Sequence, residues 1–266
     1  MNKTAPTDAT RYEKLVDAGL SSTQKQSIAW VPEGARVLEL GCATGYIGEI
    51  LMRQKGCKVV GVELDAKAAV EARGRGLDVR VGSLEDAAFR RSIAGPFDLV
   101  MATDVLEHLS DPDAVLADID GWLARDGRAI VAVPNVAVWS MRVALLRGLF
   151  EYQETGLLDR THLRFFTRDT LRRLVTAQGF VVEAEFVDRW EVPGLEHLMW
   201  SWPLRLRTGL TGRPPAWWRR VLESGAGSLT GLHQRIGGGL GRVWPNLCGD
   251  HFALLLRPPP APQERG

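Results

Sequence analysis

The chain has 266 residues, 45% of them hydrophobic and 24% charged, the composition of an ordinary globular protein built as one large domain or one domain with a sizeable insertion. A formal net charge of +1 gives no overall pull toward nucleic acid or an anionic membrane. Cys42, Cys57 and Cys248 are odd in number and lack metal-ligand spacing, which argues against a disulfide framework and for a reducing compartment.

Residues 1–29 read as an N-terminal lead: the first ten are polar, without the apolar centre of a signal peptide, and Tyr12 to Ile28 carries weak helical patterning. Strands are then expected near 36–40, 58–63, 77–82, 97–102 and 128–133, with helices near 46–55, 66–74, 85–93, 112–124 and 138–148. Such alternation implies a parallel sheet covered on both faces. Asp111-Pro112 is a helix start, aspartate capping the free N–H groups and proline losing nothing at the first helical position. Thr167 is the next cap, and Gly179 stops that helix before a strand at 180–187. Roughly 60 residues then intervene before a last apolar strand at 249–257, an unusually long connection, and the proline-rich end, 258–266, reads as a disordered tail. No apolar run approaches the ~18 residues of a membrane span. Ala129 to Phe150 comes nearest, broken by Pro134, Asn135, Ser140 and Arg142. The expectation is a cytoplasmic protein.

The organising stretch is Arg36 to Gly48. Val37, Leu38 and Leu40 suit a short buried strand; Gly41, Gly45 and Gly48 follow; Ile47, Ile50 and Leu51 then share one helical face. Strand, glycine turn and helix form the first unit of a doubly wound sheet, whose ligands bind beyond the strand's carboxyl end. A nicotinamide site wants G-x-G-x-x-G facing a pyrophosphate. Here Glu39 stands two residues before Gly41, and an anion there favours a ligand carrying an ammonium and a sulfonium. The second strand ends in Glu63, 22 residues after Gly41, where a carboxylate accepts from ribose hydroxyls.

Val37 to Gly45, Gly61 to Asp65 and Phe97 to Leu109 together resemble the class I S-adenosylmethionine-dependent methyltransferases, and most closely the branch with the ubiquinone-type O-methyltransferases. The resemblance covers about 30–187 plus the last strand. It implies an α/β, Rossmann-like, doubly wound seven-stranded sheet with a helical insertion before the last strand, and S-adenosyl-L-methionine as cofactor. Glu39, Gly41, Cys42, Ala43 and Gly45 would line its methionine part, Glu63 would hold the ribose, and Leu64 would pack on adenine. Ser83 takes the place of an aspartate that meets the adenine amino group in many relatives, with the Leu84 N–H beside it; Tyr46 and Thr103 complete the set. Ala43 departs from the family's usual glycine.

Thr103-Asp104-Val105-Leu106-Glu107-His108 follows the fourth strand, over the sheet's carboxyl edge. Methyl transfer to a hydroxyl needs in-line alignment and a base, and histidine suits that task. His108 is the expected base, with Asp104 beside it and His162 as an acceptor-side partner. Asp104, Glu107 and His108 also resemble the acid-x-x-Glu-His motif of metal-assisted members, the quinone O-methyltransferases and small-RNA 3′-end 2′-O-methyltransferases among them. His162 would then be the fourth ligand of a divalent ion, and Asp104 stands where those members have glutamate. Against this, D-V-L-E-H-L occurs in relatives that need no metal, where Glu107 and His108 would only brace the loop. No Asp/Asn-Pro-Pro-aromatic motif follows the fourth strand, which argues against amino methylation of bases.

Residues 188–248 form the insertion. Between Arg189 and Trp244 lie eight arginines, three glutamates and six of the nine tryptophans, a mixture suited to a lid over a lipid-linked acceptor, to peripheral contact with the inner membrane face, or to a packed helical cap. Nucleic acid is the least favoured partner, because the basic residues are scattered. The reading is an O-methyltransferase for a small or amphiphilic acceptor. The alternatives are methylation at carbon or nitrogen, or a cofactor-binding scaffold without turnover.

Overall fold

A computed structural model describes residues 19–189 and 245–259. The earlier part of the N-terminal lead, the tryptophan- and arginine-rich stretch 190–244 and the tail from 260 lie outside the described residues. In chain order the elements are α1 (Ser22–Trp30), β1 (Arg36–Leu40), α2 (Tyr46–Lys55), β2 (Lys58–Glu63), α3 (Ala66–Gly74), β3 (Asp78–Val81), α4 (Ala87–Ser92), β4 (Phe97–Thr103), a 3₁₀ turn (Leu106–His108), α5 (Pro112–Trp122), β5 (Leu123–Pro134), α6 (Trp139–Leu146), α7 (Arg168–Ala177), β6 (Val181–Arg189), α8 (Pro245–Cys248) and β7 (Gly249–Arg257). No helix among the described residues is long and apolar enough to cross a membrane.

The strands form one seven-stranded sheet in the order β3-β2-β1-β4-β5-β7-β6, the doubly wound sheet expected. The five strands from β3 to β5 are parallel, and β7 runs antiparallel between β5 and β6. Successive strand residues point to opposite faces, so continuous apolar runs serve two cores. Val37, Leu99, Met101 and Ile130 pack with Ile28, Ile47, Leu51 and Ala72 of α1 to α3. Their neighbours Leu38, Val100, Ala102 and Val131 pack with Leu116, Ile119, Leu171 and Val175 of α5 and α7. Glu39 therefore faces α2, the side that carries the glycine turn.

Helix boundaries follow the expected caps. Asp111 accepts from the Ala114 N–H at 3.1 Å, Thr167 and Thr170 form a reciprocal capping box, and Gly179 adopts a φ of +84° just beyond α7. The main difference is β5, which begins at Leu123 rather than near 128, so the preceding helix stops at Trp122. Leu123 already pairs with Phe97, and the register then jumps to Leu99 opposite Arg128. A Cβ on Gly127 would lie 3.0 Å from the carbonyl oxygens of Ala124 and Phe97, so the irregular segment needs glycine there. That irregularity conceals the first part of the strand from a reading of apolar periodicity.

Candidate active site

One cleft lies beyond the carboxyl ends of β1 and β4, walled by Glu39, Gly41, Cys42, Ala43, Tyr46, Met101, Thr103 and Asp104, with Gln24 from α1 closing one side. Its shape depends on what glycine leaves out. Gly45 caps α2 at φ +81°, and a Cβ there would meet Ala72 at 2.8 Å; a Cβ on Gly48 would lie 2.9 Å from Glu39 Oε2. The spaced glycines thus admit a carboxylate beneath the first turn of a helix. Glu39 is 4% exposed and its Oε2 has no hydrogen-bond partner. Burial raises its pKa to about 8, the Gly48 N–H pulling the other way and the Glu63 charge adding to the rise. A buried acid with one oxygen unanswered at the rim of a cleft is suited to a cationic ligand.

Glu63 closes the neighbouring strand. Its Oε2 accepts from the Ala43 N–H and its Oε1 from those of Leu64 and Asp65, each at 2.8 Å. The carboxylate therefore links the glycine turn to the end of β2. Ala43 is held at φ +48°, a left-handed conformation that costs a non-glycine residue about 1–2 kcal/mol. Tyr46 Oη accepts from Gln24 Nε2 at 2.7 Å, which ties α1 to the cleft.

A second cluster sits on the 3₁₀ turn. Ligand atoms of Glu107, His108 and His162 lie within 4.8 Å of one another, and the two imidazoles meet edge-on at 4.8 Å between centroids. Loop 157–164 docks here through the N–H groups of Leu163 and Arg164, both donating to the Glu107 carbonyl. His108 Nδ1 lies 3.3 Å from the Thr161 carbonyl oxygen and His162 Nδ1 2.9 Å from that of Leu157. With each Nδ1–H donated to a carbonyl, each Nε2 keeps its lone pair, the tautomer found in metal ligands and general bases. Burial, and then the neighbouring His162, holds the His108 imidazole below the usual histidine range. Burial and the Asp104 charge push the Glu107 carboxyl well above the ordinary carboxylate range, and its Oε2 lacks a partner.

Asp104 stands apart from that trio. It adopts φ +57° ahead of the turn, so it is not on a common helix with Glu107 and His108, and it is not among the side chains that converge there. Its Oδ1 lies 3.6 Å from His251 Nε2, and His251 Nδ1 is 3.8 Å from Asp250 Oδ1. Burial works against the charged form of His251, but contact with Asp250 and the charges of Asp104 and Glu107 raise its pKa to about 9.

With this geometry in view, residues 12–185 match the model of a methyltransferase domain. The chain belongs to that methyltransferase family. It is 30% identical over 160 residues to a ubiquinone biosynthesis O-methyltransferase of Caulobacter sp. (strain K31), covering 58% of this chain and 62% of that protein. It is 31% identical over 174 residues to its namesake in Bradyrhizobium sp. (strain ORS 278), covering 60% and 66%. The chain thus spans just under two-thirds of the length of these curated relatives. Among solved structures, a SAM-dependent methyltransferase from Archaeoglobus fulgidus superposes with a TM-score of 0.57 at 16% identity, over 91% of this chain and 93% of that one. Magnesium protoporphyrin IX methyltransferase from Synechocystis PCC 6803 gives 0.51 at 16% identity, over 70% and 84%. At such identities these two likenesses concern the fold.

Within the methyltransferase fold, the residues expected at the donor site fall into two groups. Glu39, Gly41, Cys42, Ala43, Tyr46 and Thr103 share the cleft, joined by Asp104, which was expected beside His108 and not here; Gly45 lies behind the cleft and Glu63 is fastened to it. Leu64, Ser83 and Leu84 are not among its lining residues. Leu64 is 70% exposed, Ser83 Oγ accepts from the Glu85 N–H at 3.1 Å, and the Leu84 carbonyl accepts from Arg90 Nη1 at 2.8 Å. Sequence reasoning missed Gln24, Met101 and His251. Topology offered a signal for the last: an antiparallel strand beside β5 starts where β5 ends, so the first residues of β7 must reach the sheet's carboxyl edge.

Proposed function

We propose that this chain transfers a methyl group from S-adenosylmethionine to an oxygen of a small or amphiphilic acceptor. The single observation that carries the donor part is the buried Glu39 carboxylate beneath the glycine turn, its Oε2 without a hydrogen-bond partner, with Glu63 fixed beside it. The residues fit the donor: two carboxylates match its cationic and ribose portions, and Gly41 and Gly48 let Val105 and the Glu39 carboxylate pack against the turn with no Cβ in the way. When bound, the donor supplies a methyl carbon activated by a sulfonium leaving group. Glu39 and Asp104 favour positive charge in the cleft, Glu63 anchors the turn, and Gln24 and Tyr46 shield one side from water.

On the acceptor side, His108 takes the hydroxyl proton at Nε2, with Thr161 holding its ring and His162 packed against it. The relatives named for ubiquinone biosynthesis support oxygen as the accepting atom. Phe150 packs on Phe165 at 5.8 Å, and Phe165 on His162 at 6.3 Å, while Leu146, Leu149, Phe150 and Tyr152 stay exposed nearby in sequence. This apolar approach suits the non-polar part of an amphiphilic acceptor. The test is methyl transfer from labelled donor to a panel of phenolic and catecholic acceptors. Labelled ether in wild type and its loss in His108→Ala support the reading. Donor binding with no methylated product from any acceptor opposes it.

A metal-assisted form of the same reaction is favoured by one further observation, the convergence of ligand atoms of Glu107, His108 and His162 within 4.8 Å of one another. These groups suit Mn²⁺, Fe²⁺ or Zn²⁺, and such an ion would lower the acceptor hydroxyl's pKa. Dialysis against chelator should then abolish turnover, with recovery on adding back metal; activity unchanged by chelator assigns His108 to base catalysis alone.

A further inference from the structure

The residue that neither the glycine turn nor the histidine pair accounts for is His251. It comes from β7, opposite Pro134 on β5 and Asp188 on β6, and several contacts fix the chain around it. The Asn135 side chain, fully buried, donates to the carbonyls of Asn246 and Gly249 at 3.0 and 2.6 Å, and its N–H donates to the Asp250 carbonyl at 2.7 Å. Asp188 accepts from Thr23 Oγ1 at 3.3 Å, on the same helix that brings Gln24 to the cleft. The start of β7 is thus clamped from both sides.

What His251 reaches is Asp104, a residue under strain. At φ +57° an aspartate occupies a region used mainly by glycine and asparagine, and such a conformation persists only where its surroundings over-determine it. Its N–H is held by the Ala132 carbonyl at 3.0 Å, while its carboxylate lies on the cleft wall with a buried Oδ1 that no hydrogen bond answers. His251 Nε2 lies within ion-pair distance of that carboxylate, at 3.6 Å, and Asp250 flanks the opposite side of the ring at 3.8 Å.

We propose that His251 is a positioning residue for the methyl donor: clamped between Asp250 and Asp104, its ring sets the Asp104 carboxylate on the wall of the cleft. There the carboxylate favours the cationic sulfonium over the neutral thioether product. His251 itself touches neither donor nor acceptor. The inference rests on the donor reading above and adds to it a residue that distinguishes substrate from spent product. A misplaced Asp104 would weaken binding of the charged ligand selectively, whereas loosening of the fold would weaken both.

The experiment is calorimetric titration of the full chain with S-adenosylmethionine and S-adenosylhomocysteine, for wild type, His251→Ala, His251→Gln, Asp104→Asn and the double variant His251→Ala/Asp104→Asn. His251→Ala should weaken S-adenosylmethionine binding by about tenfold while leaving S-adenosylhomocysteine within about twofold, and the double variant should be no weaker than Asp104→Asn, because the two residues act as one unit. His251→Gln, which keeps a side-chain N–H, should recover part of the loss, and it carries the test if the alanine variant fails to fold. Equal weakening of both ligands, or losses that multiply in the double variant, overturns the inference while leaving the donor reading intact. Failure of folded wild type to bind either ligand overturns both.

Discussion

The two halves of the sheet's carboxyl edge are built on different plans. The proposed donor half is written mostly in contiguous stretches, the turn from Glu39 to Gly48 and the strand end at Glu63, with Gln24, Thr103 and Asp104 joining the cleft wall from elsewhere in the chain. Backbone N–H groups local to those stretches fix the Glu63 carboxylate. The proposed acceptor half is assembled across the chain, as His162 is laid on His108 by a loop that follows β5 and α6. The difference teaches where each half can vary. A contiguous turn preserves donor binding, while docked loops can be rebuilt for other acceptors on an unchanged sheet.

If the halves are separable, substitutions on one side should spare the other. The largest effect is expected from His108→Ala, which should lower kcat by roughly 10²–10³-fold, the usual worth of a positioned base, while donor Kd stays within about twofold. Single-turnover kinetics with calorimetry checks this, and a matching loss of donor affinity would break the separation. Next comes Gly45→Val. At φ +81° and 2.8 Å from Ala72 a branched side chain should cost about 2–4 kcal/mol in urea melts and abolish donor binding.

The free-protein pKa of Glu39, about 8 against an ordinary 4.5, gives a smaller, pH-dependent effect. A cationic ligand favours the ionised carboxylate, so binding expels a proton and donor affinity should rise between pH 6 and 8 by at most about tenfold per unit. Over the window from 4.5 to about 8 the folded protein holds a proton that the unfolded chain has lost. The stability of the donor-free protein should therefore fall as pH rises through that window and level off above it. Glu39→Gln should flatten both trends. The smallest effect is expected from Ala43→Gly, which relieves the left-handed strain and should stabilise the fold by about 0.5–1 kcal/mol in urea melts, with acceptor kinetics unchanged.

How far the sequence could be read follows the same division. Glu39, the glycines and Glu63 were legible because the chemistry of a sharp turn beside a buried strand constrains adjacent residues. The positions of β1 to β4 and the caps at Asp111 and Thr167 were legible for the same local reason. The separation of Asp104 from Glu107 was not, because the motif's spacing does not reveal that a left-handed residue and a 3₁₀ turn come between them. His251 was read only as part of an apolar strand, since its role depends on β7 inserting between β5 and β6. The extra length of β5 was hidden by the irregular segment at Gly127. In each case the missing information lies in contacts between distant parts of the chain.

The central claim is that two carboxylates and a glycine turn make a cradle for a cationic nucleoside, and the most direct measurement is calorimetry of wild type and Glu63→Ala with S-adenosylmethionine. Folded wild type should bind one equivalent, and Glu63→Ala, which also releases the N–H groups of Ala43, Leu64 and Asp65, should bind about 100-fold more weakly or not at all. No heat from folded wild type, or equal affinity in the two proteins, would contradict the account.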